Sequence, residues 1–240
     1  MDFTPPCDSC QSLPCDSGAQ VWRIDLAAPP AHLPAALSLL SEDERARFDR
    51  FKIPEVKHRF AIARASMRTL LAETAGMKPK DVRFHYGSQG KPSIARECNP
   101  NDIRFNLSHS GDTAILAVVV GREVGADVER LRDNLSFQKL ATRFFSPAEA
   151  DSLSGLEAGS LKRQFFRIWT AKEAYIKAVG LGLRIPLDRF AFRFAQDGTP
   201  ELADTSHDPT QRSKWLFHQF EPAAGCMATI GVARSRENSA

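Results

Sequence analysis

No apolar run in the 240 residues approaches the ~18 needed to cross a bilayer, and the N-terminus lacks the charged-then-apolar pattern of an export signal. A soluble, cytoplasmic protein with no membrane partner is the expectation. Clustered positive charge is missing too. Lys plus Arg number 32 against 29 Asp plus Glu, a net charge of +3, which permits an anionic ligand but falls short of a dedicated nucleic-acid binder. Cysteine is sparse, and its count of five is odd, against a disulfide framework. Cys7, Cys10 and Cys15 open the chain with Cys98 as a distant fourth, but no His stands near to complete a zinc site. Residues 1–19 therefore read as a flexible, Pro- and Ser-rich tail. Also absent is the Gly-x-Ser-x-Gly elbow of a serine hydrolase. What is present is ordinary globular composition, 42% hydrophobic and 25% charged, enough for one large domain or two small ones.

The order of elements repeats. Val21–Leu26 alternates as a strand, and Pro29, Pro30 and Pro34 break the stretch after it. Ser41-Glu42-Asp43-Glu44 has the form of a capping box opening a short, Arg-rich helix. A long helix runs from about Val56 to Ala75, with Phe60, Ala63, Met67, Leu70 and Leu71 inward and Gly76 closing it. Strands come next at 82–86, 103–108 and 113–120, the last apolar enough to be buried centrally. From Val124 the same order returns. It brings a strand at 124–128, a second capping box at Ser146-Pro147-Ala148-Glu149, a long helix around Trp169, and strands at 190–194, 215–220 and 226–232. The turn Gln196-Asp197-Gly198-Thr199-Pro200 echoes Ser88-Gln89-Gly90-Lys91-Pro92. This predicts an α+β fold of two similar lobes, about 20–122 and 123–236, packed with pseudo-twofold symmetry and holding any ligand between them.

Three stretches carry candidate chemistry. In Phe165–Gly180 one helical stripe is apolar, with Lys172 adding only its stem, and the neighbouring one sets Glu173 among rings, so either the helix turns this carboxylate outward or a cation meets it. Lys177, one turn on, supplies one in a surface i,i+4 pair, or a metal or polyphosphate lies nearby. Asp127 and Glu129, two apart in an extended run, share one face of a strand. They are either a solvated polar face beside Arg130 and Arg132, or a pair that a hard cation such as Mg²⁺ bridges. Asn106-Leu107-Ser108-His109-Ser110-Gly111 cannot join Ser108 and His109 as nucleophile and base if a strand runs through them. It is a polar hairpin turn or a set of donors for phosphate oxygens. Lys91, His58, Arg59, Arg45, Arg47 and Arg50 would give the same cleft a basic wall.

Taken together, these residues resemble the 4′-phosphopantetheinyl transferase superfamily, in its two-lobed type that activates peptide and polyketide synthetases. Four motifs carry the likeness: Gly90-Lys91-Pro92, Asn106–Ser110, Val124–Glu129 and Trp169–Lys177. The resemblance covers roughly Val21 to Val232 and implies two lobes, each a three-stranded sheet on a long helix, with coenzyme A and Mg²⁺ between them. By it, Asp127, Glu129 and Glu173 match metal-binding acids and Lys177 the lysine beside the pyrophosphate. Ser108, His109, Lys91, Pro92 and Arg59 match positions holding the nucleotide end of coenzyme A, whose contacts include Asp127 and Lys177. Relatives carry a lysine pair in the short first helix where this chain has Asp43, Glu44, Arg45 and Arg47, so Arg47 is the candidate there. The implied reaction transfers 4′-phosphopantetheine from coenzyme A to a serine of an apo acyl or peptidyl carrier protein, with Glu173 as general base and Lys177 as charge stabiliser. A monomer is expected. Phe144, Phe145, Leu153 and Leu156, with Lys139, Arg143 and Lys162 nearby, are candidates for docking the carrier's acidic helix, or belong to the lobe core. The alternatives are a Mg²⁺-dependent coenzyme A or nucleotide hydrolase and a non-catalytic coenzyme A-binding module.

Overall fold

The structure, a computed structural model, describes residues 10–87, 90–180, 184–206 and 208–235. Cys7 of the N-terminal cysteine group and Ser88 and Gln89 of the first turn lie outside the described residues. The first half contains strands β1 (Cys10–Leu13) and β2 (Gln20–Asp25) and helices α1 (Leu33–Leu39), α2 (Glu42–Arg50) and α3 (Pro54–Ala75). Strands β3 (Phe84–Tyr86), β4 (Pro92–Ile94), β5 (Ile103–Ser110) and β6 (Thr113–Val120) complete it. The second half runs β7 (Val124–Arg130), α4 (Phe137–Phe144), α5 (Pro147–Ser152) and α6 (Ala158–Val179), then β8 (Phe190–Phe194), β9 (Pro200–Thr205), β10 (Trp215–Phe220) and β11 (Cys226–Ala233).

The repeat is visible in the pairing. β2 pairs with β6 and β6 with β5, all antiparallel; β7 pairs with β11 and β11 with β10 in the same way. Each half adds a hairpin, β3 with β4 and β8 with β9, in which Phe84 faces Ile94 and Phe192 faces Leu202. Both turns place glycine at positive φ, Gly90 and Gly198, where a Cβ would be strained. Gly76 and Gly180 end α3 and α6 in the left-handed conformation.

Four layers result, α3, sheet, sheet, α6. Met67, Leu70 and Leu71 of α3 pack on Ile24, Leu116 and Phe105. Tyr175 and Ile176 of α6 pack among Phe190, Phe192, Trp215 and Phe217. Between the sheets Val21, Ile115, Ala117 and Val119 meet Val124, Ala126, Val128 and Ile230. β6 is thus apolar on both faces, as a central strand covered twice must be.

Three expectations change. Residues 10–13, expected within a flexible tail, form β1 on the edge of the first sheet, Cys10 opposite Ile24, so that sheet has four strands. Pro34 begins a helix instead of breaking one, because its missing N–H falls in the first turn of α1. Lys172, expected to bury only its stem, is wholly buried. Its ammonium lies 2.7 Å from Glu149 and donates to the Leu187 and Phe190 carbonyls. Glu149 closes the capping box of α5 and also accepts from Phe192 N–H. The first half repeats the device: buried Glu44 accepts from Arg64 at 2.9 Å and Arg68 at 2.6 Å, and Arg68 donates to the carbonyls of Pro79 and Val82. Arg68 and Lys172 occupy the same place, the fifteenth residue, of their 22-residue helices. No helix among the described residues is long and apolar enough to cross a membrane.

Candidate active site

Gly125 decides where the second long helix lies. A Cβ there would sit 2.1 Å from the Ala174 carbonyl oxygen and 2.3 Å from the Ala178 nitrogen, so α6 rests directly on the backbone of β7. Its partner across the ladder is Gly231. Period two then aims Gly125, Asp127 and Glu129 towards α6, while Val124, Ala126 and Val128 join the apolar layer between the sheets. Glu173 and Lys177 flank Ala174 on the helix, one turn apart, so that Lys177 reaches Asp127 and Glu173 comes near enough to the strand carboxylates for their charges to act on one another.

Asp127 is 4% exposed. Its Oδ1 accepts from Lys177 Nζ at 2.5 Å and from Ser108 Oγ at 3.1 Å, whereas its buried Oδ2 has no hydrogen-bond partner. Burial pushes its pKa up from 3.8 to about 7; Lys177 pulls the other way, and Glu173 and Glu129 push further up. The Glu173 carboxyl is likewise raised, first by burial and then by Glu129, against the pull of Lys177. Lys177 forms its ion pair with Asp127 across the helix-strand contact and not with Glu173 along the helix. Among the described residues no three acidic, His or Cys side chains are gathered closely enough to chelate an ion as they stand, and the ammonium on Asp127 is the group that meets this charge. The set still suits a hard cation. It offers carboxylate oxygens only, three groups that repel one another, and an acceptor atom left without a donor.

The lobes meet here edge to edge. β5 and β7 belong to different sheets, and side chains bridge them. Asn106 Oδ1 accepts from Ala126 N–H at 2.9 Å, Ser108 Oγ from Val128 N–H at 3.4 Å, and Ser110 Oγ from Arg130 N–H at 3.1 Å. A strand does run through Ser108 and His109, with Ser108 buried and His109 exposed on the other face, which removes them as a nucleophile and base pair. Ser108, expected at the nucleotide, is turned to Asp127 and Lys177.

The remaining candidates spread along this seam. Lys91 Nζ donates to the carbonyls of Lys177 at 2.7 Å and Val124 at 3.1 Å, with Glu123 at 3.8 Å, and burial lowers its pKa. In this arrangement it ties the first hairpin to the end of α6 instead of facing an open cleft. Pro92 stands opposite Tyr86 in that hairpin. At the other end Arg59 pairs with Asp112 of the β5–β6 turn at 2.7 Å. Arg47 is exposed, its guanidinium 5.5 Å from the Phe60 ring centroid. Arg45 donates to the Leu37 carbonyl and His58 bonds the Ala28 carbonyl. Of the candidate docking residues, Phe145 and Leu153 are core, while Leu156, Lys139 and Arg143 are exposed. A cavity of about 1180 Å³ opens elsewhere, between Arg104, Val120, Glu123, Lys214 and Arg234. It contains none of the three acids, and Arg104 in it is paired with Asp102 and Glu123.

Sequence reasoning passed over a buried network one turn before Glu173. Thr170 Oγ1 lies 2.8 Å from Thr229 Oγ1, and Gln219 Nε2 donates to Thr229 at 2.9 Å and to the Arg167 carbonyl. Thr229 faces Asp127 in the β7–β11 register. Gly125 was the available signal, since a glycine inside a strand marks close backbone approach.

Comparison with known proteins gives two family matches, one to each half. The model of the 4′-phosphopantetheinyl transferase superfamily matches residues 123–230, and that of the 4′-phosphopantetheinyl transferase N-terminal region matches 27–120. The 4′-phosphopantetheinyl transferase HetI of Nostoc sp. is 36% identical over 216 residues, covering 89% of this chain and 86% of that protein. The 4′-phosphopantetheinyl transferase Sfp of Bacillus subtilis is 34% identical over 177 residues, 72% of this chain and 75% of that one. A crystal structure of holo-[acyl-carrier-protein] synthase from Neisseria meningitidis aligns with 47% of this chain and 98% of its own, at 21% identity and a TM-score of 0.38.

Proposed function

The chain belongs to the 4′-phosphopantetheinyl transferase superfamily, and from that premise we propose that it transfers 4′-phosphopantetheine from coenzyme A to a serine of an apo acyl or peptidyl carrier protein. Adenosine 3′,5′-bisphosphate is the second product. The observation that carries this reading is that Asp127, Glu129 and Glu173 act on one another's charge where α6 lies on β7, with Lys177 paired to Asp127, in a chain whose two halves both match the family.

The carrier serine attacks the β-phosphorus of coenzyme A. A new O–P bond forms, the bond to the bridging oxygen breaks, and its electron pair leaves with the adenosine bisphosphate. Glu173, whose burial makes its carboxylate a better base than an exposed one, accepts the serine proton. Lys177, about a third exposed, turns its ammonium to the phosphoryl oxygens, where negative charge grows. Asp127, Glu129 and Glu173 would hold Mg²⁺, which when bound neutralises the diphosphate; the partnerless Oδ2 of Asp127 supports that assignment. Arg59, which pairs with Asp112 of the β5–β6 turn, and exposed His109 and Arg47 are the groups offered to the adenosine phosphates. One chain supplies every group named, so the active species is a monomer.

The test is mass spectrometry of apo carrier proteins incubated with coenzyme A, Mg²⁺ and the protein. Wild type adds the phosphopantetheine mass; Asp127→Ala and Glu173→Gln fold but lose at least about a hundredfold in rate, as removal of a charge-stabilising group or base does. Near-wild-type turnover in either variant overturns the assignment of these acids. Coenzyme A consumed without carrier protein would make the chain a hydrolase instead, and binding without any turnover would make it a binding module.

A further inference from the structure

The three side chains that bridge β5 to β7 are not equivalent. A serine hydroxyl has one proton and two lone pairs, and Ser108 and Ser110 use both. Each accepts an N–H of β7, from Val128 and Arg130, while donating to the carboxylate of the preceding residue: Ser108 to Asp127 Oδ1 at 3.1 Å and Ser110 to Glu129 Oε2 at 2.9 Å. The Asn106 rung is the same contact without a carboxylate, because the residue before Ala126 is Gly125. Spacing two on β5 therefore matches spacing two on β7, rung for rung.

We propose that Ser108 and Ser110 are positioning residues for the transfer reaction, fixing the rotamers of Asp127 and Glu129 from the opposite lobe. The acids hang on the second lobe, but their orientation is set by the first, so the site is assembled only when the two lobes are docked. Ser110 is the sharper case, since Glu129 has few other restraints. Its charged partner, Arg132, stands 3.7 Å away and half exposed. Without the serine a flexible glutamate would populate several rotamers, and one charge-assisted hydrogen bond of this kind decides about a tenfold preference.

The inference rests on the transferase reading, and the experiment separates the two. Ser110→Ala, Ser110→Thr and Asn106→Ala are compared by carrier-protein turnover, by melting temperature and by calorimetric titration of the free enzyme with Mg²⁺ alone. Ser110→Ala is expected to lower kcat about tenfold and to weaken Mg²⁺ binding by a similar factor, with Ser110→Thr restoring both. Asn106→Ala is expected to lower the melting temperature while leaving kcat and Mg²⁺ affinity within about twofold, because it removes an N–H acceptor and no carboxylate donor. Wild-type kcat and Mg²⁺ affinity in Ser110→Ala overturn the proposal. So does an equal loss in Asn106→Ala, which would make lobe docking as a whole responsible. Ser108 is buried, and its alanine variant risks misfolding; the only partly buried Ser110 keeps the test decisive. A wild-type enzyme that modifies no carrier protein would overturn the transferase reading, and the Mg²⁺ comparison would still judge the serines.

Discussion

At the scale of single residues, Asp127 carries the largest electrostatic cost in the site. Its pKa is about 7 in the folded chain against 3.8 in the open one, so the native state favours the protonated form. The stability this contributes is present below pH 4 and is lost as pH rises towards 7. Asp127→Asn removes that dependence. In the absence of ligands the variant should match wild type near pH 4 and exceed it by up to a few kcal/mol at pH 8, as urea midpoints at the two pH values would report. Mg²⁺ with coenzyme A should reverse the order at pH 8, because a cation on the carboxylate restores its charged form to favour. A variant no more stable than wild type at pH 8 would show that Lys177 alone neutralises the buried charge.

Among elements, the contact of α6 with β7 decides most. The helix can lie on the strand only because Gly125 carries no side chain; at its neighbour Gly231 a Cβ would instead meet the Phe217 ring, 2.8 Å away. Gly125→Ala places a methyl on backbone atoms of Ala174 and Ala178, which cannot rotate away. The helix must lift, carrying Glu173 and Lys177 from Asp127. The expected cost is about 3 kcal/mol or more, together with a loss of turnover in whatever fraction stays folded. Unchanged melting and turnover would mean that the helix has slack the packing does not show. Ala126→Gly, one residue on but facing the other sheet, is the comparison; it should lower stability without displacing α6.

For the whole molecule, the apolar layer between the sheets is shared. Val21, Ile115 and Val119 bury against Val124, Val128 and Ile230, so neither lobe completes its core alone. Unfolding should therefore be one transition despite the two-lobed plan. Tryptophan fluorescence, reporting Trp22 in the first lobe and Trp169 and Trp215 in the second, should coincide with far-UV circular dichroism across a urea titration. Two separated steps would show independent lobes. The repeat was legible in the sequence from capping boxes, glycine stops and turn residues, since each is a local signal. The paired buried anchors, Glu44 with Arg68 and Glu149 with Lys172, were not, because a capping box shows where a helix starts and not what its glutamate meets 20 or more residues later. Edge strand β1 was missed for a similar reason: four residues gain their ladder only from β2.

Periodicity along the chain placed Asp127 with Glu129 on one strand face and Glu173 with Lys177 on one helix face, and the motif order identified the family. These are properties of neighbours within a few residues, where backbone geometry leaves little choice. Folding alone decided that Lys177 would answer Asp127 and not Glu173, that Lys91 would reach across to backbone carbonyls, and that Ser108 and Ser110 would hold the acids of the other lobe. Charges and hydroxyls take the partner that packing brings within about 3 Å, and that partner can lie 19 to 86 residues away.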